Sequence, residues 1–246
     1  MSNVTVAGLD QAVHFVQSQH LDPRSLDALR DWYGTTPSRP IHLTDFLTQA
    51  WAQRVSQLLV DFPLWSRVCR VYDGPDKALY VSEAEWLASD KKWARSWIGS
   101  PIDGALRPGA MSQAHQHTLR QFLAFSVLRG PLTAWLSAAT GVELGTGSIE
   151  LASYGKGDSI GVHQDRIETR AFAVNFYLDP LYRIGSGCRL GYRNEHDEVS
   201  YVDPVHNSIS IIPIQAQSVH WVEEFADDRR GRYTISVGQN RVEESV

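Results

Sequence analysis

The residues best equipped for chemistry are His163, Asp165, His220 and Arg232. His163 and Asp165 stand two positions apart in Gly161-Val162-His163-Gln164-Asp165, so on an extended strand both side chains leave from one face. Two ligands on one face leave a metal ion in need of a third, and His220 supplies a candidate. Two imidazoles and one carboxylate on adjacent sites suit a ferrous ion and leave three coordination positions open. Arg232, in Gly231-Arg232-Tyr233-Thr234, offers a planar fork that can clamp a carboxylate. Strand alternation sets Arg232 and Thr234 on one face and favours Arg232 over Arg230, which is expected to be solvated in the turn 226–231.

Elements must bring these four together. From 141 onward the chain becomes a series of short β-rich runs separated by turns. Residues 148–154, 171–178, 208–214 and 233–237 read as clear strands, with weaker ones around His163 and at 188–192, 199–202 and 219–220. Eight such strands suggest a double-stranded β-helix, or jelly roll. Upstream, helices are expected over 5–33, over 43–60 with Thr44 or Asp45 as N-cap, and over 112–140 with a break at Gly130-Pro131. Ser82 and Glu85 form a capping-box signature for one more, and Gly141 is well placed to end the last. Residues 68–72 read as a short strand and 101–109 as a loop. Helices first and strands second give an α+β class, with the N-terminal helices packed on the roll. The expected organisation is one catalytic domain over 1–246. In it 1–140 is mostly helical support with substrate-side elements, and 141–240 is the core that carries the metal site.

Composition narrows the alternatives. A 43% hydrophobic and 21% charged chain of 246 residues is ordinary for a globular protein. The net charge of −5 argues against a nucleic-acid partner, which a basic face would attract. Two cysteines, Cys69 and Cys188, define no disulfide framework; one bridge or two reduced thiols are open, and thiols suit the cytoplasm. No basic start precedes a long apolar run, and no stretch approaches the ~20 apolar residues of a membrane span. A cytoplasmic protein with no membrane association is expected.

The motif Tyr154-Gly155-x-Gly157-Asp158-x-x-Gly161-x-His163-x-Asp165, then His220, then Arg232-x-Thr234, resembles the 2-oxoglutarate/Fe(II) oxygenases of the prolyl-4-hydroxylase-like group. The resemblance covers about 120–240. It implies that His163, Asp165 and His220 bind Fe(II), and that Arg232, helped by the Thr234 hydroxyl, pairs with the distal carboxylate of 2-oxoglutarate. Tyr154 is implied as a further cosubstrate contact. O2 would then oxidise 2-oxoglutarate to succinate and CO2 while an unactivated C–H is hydroxylated, with desaturation or ring closure open to the same chemistry. Related halogenases carry a small residue where this chain has Asp165, so oxygen transfer is favoured over halogen transfer. One departure is Gly185-Ser186-Gly187-Cys188-Arg189-Leu190, where the family often has Gly-Gly-x-Leu; it bears on the shape of the mouth.

Other candidates carry less. His115 and His117 share no helix face, His196 sits in a polar hairpin loop, and His206 is a candidate support for the metal ligands. Trp65, Tyr72, Tyr80, Trp86, Trp93 and Trp97 read either as core packing or as a pocket wall. Arg166 and Arg170 flank the expected mouth, as anchors for an acidic substrate or as solvated charges. The expected substrate is a small molecule, an amino acid or a biosynthetic intermediate. The alternatives are a prolyl-type protein or peptide hydroxylase and a jelly-roll protein that binds a metal or ligand without turnover.

Overall fold

The computed structural model describes residues 8–36, 39–74, 77–165, 169–194, 196–214 and 219–242. Its strands are β1 (Ile41–Leu43), β2 (Trp65–Tyr72), β3 (Ala78–Tyr80), β4 (Lys92–Gly99), β5 (Leu144–Tyr154), β6 (Ser159–His163), β7 (Arg170–Tyr177), β8 (Leu190–Arg193), β9 (Val199–Val202), β10 (Ser208–Pro213), β11 (Val219–Val222) and β12 (Gly231–Arg241). The hydrogen-bonded order is β1-β10-β7-β12-β5-β4-β6-β11-β8-β9, with β2 paired to β3 and β4. The last eight strands form two facing antiparallel sets, β10-β7-β12-β5 and β6-β11-β8-β9. Strand β4 joins them by pairing with both β5 and β6. This is the jelly roll that the eight-strand pattern predicts, built of antiparallel pairs throughout.

Among the described residues, all but one of the helices pack with the larger set, and the exception, Glu83–Ala88, lies against β2. The helices are α1 (Leu9–Ala12), α2 (Pro23–Thr35), α3 (Gln49–Val60), α4 (Glu83–Ala88), α5 (Ile102–Ala105), α6 (Gln113–Ser126) and α7 (Pro131–Thr140). Trp51, Phe122, Phe125 and Trp135 pack with Phe172, Phe176 and Ile235 into one core. The run 113–140 is long and apolar enough on length and composition to cross a membrane. It is instead two helices separated at 127–130, and Leu119, Phe122, Phe125, Leu132 and Leu136 are buried in that core. Gly130 is obligatory at the break, because a Cβ there would lie 1.9 Å from the Ala124 carbonyl oxygen.

The N-terminal half departs from expectation in three places. The helix expected over 5–33 is α1, a 3-10 turn at Ser18–His20, and α2, which Asp22 caps from the residue before Pro23. The helix expected from 43 begins at Gln49, because 41–43 pairs with β10 and Asp45 takes a left-handed φ of 50°. The region 65–99 supplies three strands, so the first 140 residues contribute to the sheet as well as supporting it. The capping box of Ser82 and Glu85 forms as expected. Residues 5–7 of the first helix lie outside the described residues.

The turn joining β5 to β6 is held by Asp158. Its carboxylate is fully buried and accepts hydrogen bonds from Arg67 at 2.5 Å, Arg95 at 2.8 Å and the Gly155 amide at 2.8 Å. This ties β2 and β4 to the strand that delivers His163. Removing one partner of a buried ion pair strands the others without acceptors. Asp158→Asn is expected to lower unfolding stability by about 3 kcal/mol, read from urea denaturation; an unchanged midpoint would refute the anchoring role.

Candidate active site

His163 ends β6 and His220 lies opposite it on β11, in direct antiparallel register. Their rings are 4.3 Å apart between centroids. Asp165 follows β6 and brings Oδ1 to 3.9 Å from His163 Nε2 and Oδ2 to 3.8 Å from His220 Nε2. One ligand atom from each of the three lies within 4.8 Å of the others, the spread that a single ion can span. The three residues picked out on strand spacing are therefore brought together, although Asp165 lies just past the end of the strand.

The donor chemistry fits Fe(II). His163 Nδ1 lies 2.9 Å from the Gly161 carbonyl, which fixes the tautomer with Nδ1–H donating and leaves Nε2 as the free lone pair. Burial pushes His220 down to about 3, helped by neighbouring His163 and opposed by Asp165, so its imidazole is neutral and able to ligate. Gly161 is needed at the approach: a Cβ there would meet the Tyr72 hydroxyl at 2.5 Å. That hydroxyl donates to the Val162 carbonyl at 2.7 Å, and Trp93 stacks on Tyr72 at 5.4 Å while its ring lies 6.0 Å from His163. Trp93 thus walls the site, and Tyr72 supports it by stacking. Trp86 is buried and Trp65 packs on Phe62 and Tyr233, so both readings of the aromatic segment hold for different residues.

Arg232 opens into the same cavity, whose volume is about 540 Å³. It is only 3% exposed. Nε donates to the Cys188 carbonyl at 2.7 Å, and Nη1 reaches the Thr234 hydroxyl at 3.4 Å. The guanidinium lies 4.7 Å from the Tyr154 ring centroid and 5.3 Å from that of Tyr177. Among the described residues no carboxylate lies within ion-pair distance of its side chain. A buried cation lacking a counter-ion favours an incoming carboxylate, and 2-oxoglutarate supplies one. Tyr154 and Thr234 stand beside it, so all three cosubstrate residues expected from the resemblance converge.

Alternation alone does not deliver Arg232. The register slips between Gly231 and Thr234, and Arg232 takes a left-handed φ of 45°, so a β-bulge turns the side chain inward. Asp179, which sequence reasoning missed, holds that backbone. It is 1% exposed, accepts the Arg232 amide at 2.7 Å, and is bound by Arg229 at 2.8 and 3.1 Å. Its only sequence signal is an Asp-Pro that reads as a turn. The Gly185–Cys188 departure lies beneath Arg232 through the Cys188 carbonyl, not at the mouth as expected. Arg230 sits in the turn as expected and is half-buried, its guanidinium 5.4 Å from the Trp65 ring centroid and 5.6 Å from that of Trp97. His206 lines no part of the cavity, and Arg166 lies outside the described residues. Arg170 does line it, with Nη1 at 3.9 Å from Asp165 and Nη2 donating to Ser148 at 3.1 Å. Arg70 and Glu150, also unanticipated, complete the far wall.

Comparison with solved structures decides the fold. A prolyl hydroxylase of Trichoplax adhaerens, solved with a hypoxia inducible factor oxygen degradation domain peptide fragment, aligns over 89% of this chain and 90% of its own, with TM-score 0.64 and 15% identity. A 2OG-Fe(II) oxygenase family oxidoreductase of Burkholderia pseudomallei aligns over 91% and 94%, with TM-score 0.59 and 12% identity. The chain has the fold of the 2-oxoglutarate/Fe(II) oxygenases. Within that fold it is similar in sequence to prolyl 3-hydroxylase OGFOD1 of Xenopus laevis, at 33% identity over 109 residues. That match takes in 42% of this chain and about a fifth (21%) of the relative's length. No protein-family model matches the chain. The oxygenase fold, the metal donors and the arginine cradle rest on independent observations and agree.

Two outcomes follow. In the unfolded chain His220 takes up a proton near pH 6.5, whereas folded it does so only near 3, so the unfolded state binds more protons between those values. Stability of EDTA-treated protein should fall as pH drops below 6.5. His220→Gln should flatten that slope in denaturant titrations at stepped pH; an equal slope would remove His220 as its source. Arg232→Gln should weaken 2-oxoglutarate binding about 100-fold, since a buried charge pair is worth roughly 3 kcal/mol, measured by calorimetry with Fe(II) under anaerobic conditions. Retained affinity would show that the cosubstrate carboxylate binds elsewhere.

Proposed function

We propose that the protein is an Fe(II)- and 2-oxoglutarate-dependent hydroxylase of an unactivated C–H bond in a small molecule, releasing succinate and CO2. The observation that carries this is one cavity holding both an ion-sized triangle of His163, Asp165 and His220 and the buried Arg232, which has no counter-ion among the described residues. Bound ferrous iron would supply O2 activation coupled to decarboxylation of the keto acid. The chain's own residues do the rest. Arg232, Thr234 and Tyr154 hold the distal carboxylate of the cosubstrate and so set the direction in which its keto end points. The sheets and the Trp93 wall restrict water and fix which C–H bond faces the metal. Asp165 occupies the third ligand position, which leaves no protein-derived gap for a halide and favours oxygen transfer.

A second reading, hydroxylation of a prolyl residue in a polypeptide, is favoured by the 33% identity to a prolyl 3-hydroxylase. The two readings share all chemistry at the metal and differ in what fills the mouth.

The test has two stages. Anaerobic addition of Fe(II) and 2-oxoglutarate should produce a weak visible charge-transfer band that His163→Ala lacks. In air, succinate release should rise with a substrate that gains one oxygen by mass spectrometry, screened over metabolite pools and over proline-containing peptides. A band-free mixture with no succinate would reject the hydroxylase in favour of a binding protein, and turnover of peptides alone would replace the small-molecule reading with the second.

A further inference from the structure

The cavity extends along β5 away from the Tyr154–Arg232 end, toward Glu150. Register fixes the order along it: Tyr154 pairs with Gly231, while Glu150 pairs with Ser236. Glu150 is thus four residues, or about 13 Å of strand, beyond the Tyr154 end. Cosubstrate anchored at Arg232 and reaching back to the metal leaves this far end for the second substrate.

Two charged groups line that end without ion-pair partners. Glu150 opens into the cavity and, among the described residues, makes no hydrogen bond or ion pair; it feels the charges of Arg70, Asp165 and Arg170. Arg70, on β2, rests over the Tyr80 ring at 5.3 Å, and its Nε is buried with no acceptor. No carboxylate among the described residues lies within ion-pair distance of it. Arg170 is different, because Ser148 and Asp165 already engage it. Arg70 and Glu150 are opposite charges near one another but not within ion-pair distance, so a substrate that strips water from both gains by offering each an opposite charge of its own. A free α-amino acid carries a carboxylate and an ammonium on one carbon. A peptide-bound residue carries neither.

We propose that Arg70 and Glu150 form the substrate subsite and select a free α-amino acid, Arg70 taking its carboxylate and Glu150 its ammonium. This rests on the hydroxylase reading above and names its substrate class. The amino-acid side chain then extends toward His163, Asp165 and His220. The polar ends are held away from the metal, so a side-chain carbon is the position presented for hydroxylation.

The full chain, loaded anaerobically with Fe(II) and 2-oxoglutarate, is titrated with each proteinogenic L-amino acid and with its N-acetyl amide. Binding is followed by calorimetry and by perturbation of the visible band. At least one free amino acid should bind, with its doubly capped form at least about tenfold weaker. Arg70→Gln and Glu150→Gln should each weaken that amino acid by about tenfold or more, with thermal midpoint and 2-oxoglutarate affinity as controls for an intact fold. Binding of no free amino acid, equal binding of the capped form, or unchanged affinity in both variants overturns the proposal. Absence of the band itself sinks the hydroxylase reading instead, and calorimetry on EDTA-treated protein still decides whether the amino-acid subsite exists.

Discussion

A guanidinium buried at 3% exposure, with one carbonyl and one hydroxyl as acceptors, imposes the tightest demand on this structure. Holding the Arg232 charge out of water is tolerable only if its surroundings are fixed and an anion can reach it. Asp179 fixes the backbone, and Arg229 fixes Asp179. The Cys188 carbonyl is aimed by left-handed turns at Gly185 and Gly187, and a Cβ on Gly187 would meet the Glu224 carbonyl oxygen at 2.2 Å. The Cys188 amide in turn donates to the Glu224 carbonyl at 3.0 Å, and the Ala226 amide to that of Ser186 at 2.9 Å. Two loops distant in sequence, after β7 and after β11, are thereby locked together to hold one side chain. That accounts for a left-handed, non-glycine φ at Arg232: the surrounding bonds over-determine it.

The metal triangle depends on a different join. His163 and His220 belong to the smaller sheet, whereas Arg170, which reaches Asp165, starts β7 of the larger one. Their relative position is set by β4, which pairs with β5 on one side and β6 on the other. Strand β2 extends this bridge, and Tyr72 at its end binds the Val162 carbonyl beside His163. The Arg67–Asp158–Arg95 cluster closes the turn between β5 and β6. The N-terminal half therefore contributes directly to the geometry of the donors.

Much of this is legible in residue order. The His163, Asp165 and His220 set, the eight C-terminal strands and the break at Gly130-Pro131 follow from local periodicity and ligand spacing, whereas Arg232 is legible only through motif order, since a bulge and not alternation turns it inward. Strand β4 is not legible, because the Lys91-Lys92 pair at its start and Arg95 within it mask its pairing; its sequence, Lys92-Trp93-Ala94-Arg95-Ser96-Trp97, reads as neither clean strand nor helix. The start expected for α3 is too early because Leu43 and Phe46 fit its apolar spacing, yet 41–43 finds a better partner in the edge of β10. Asp179, Arg70 and Glu150 escape sequence reasoning for a common reason. Each acts through partners far away in sequence, and no short motif records such contacts.

Charge along the cavity then sorts ligands by end. The Arg232 guanidinium has no carboxylate within ion-pair distance among the described residues, so a dicarboxylate gains most by placing one anionic end there. At the opposite end Glu150 shares its surroundings with Arg70, Asp165 and Arg170, so charges of both signs face a ligand there. Desolvation raises the Glu150 carboxyl, Arg70 and Arg170 oppose the rise and Asp165 adds to it. The two ends of the cavity therefore differ in kind, with a single buried guanidinium at the Tyr154 end and charges of both signs at the Glu150 end.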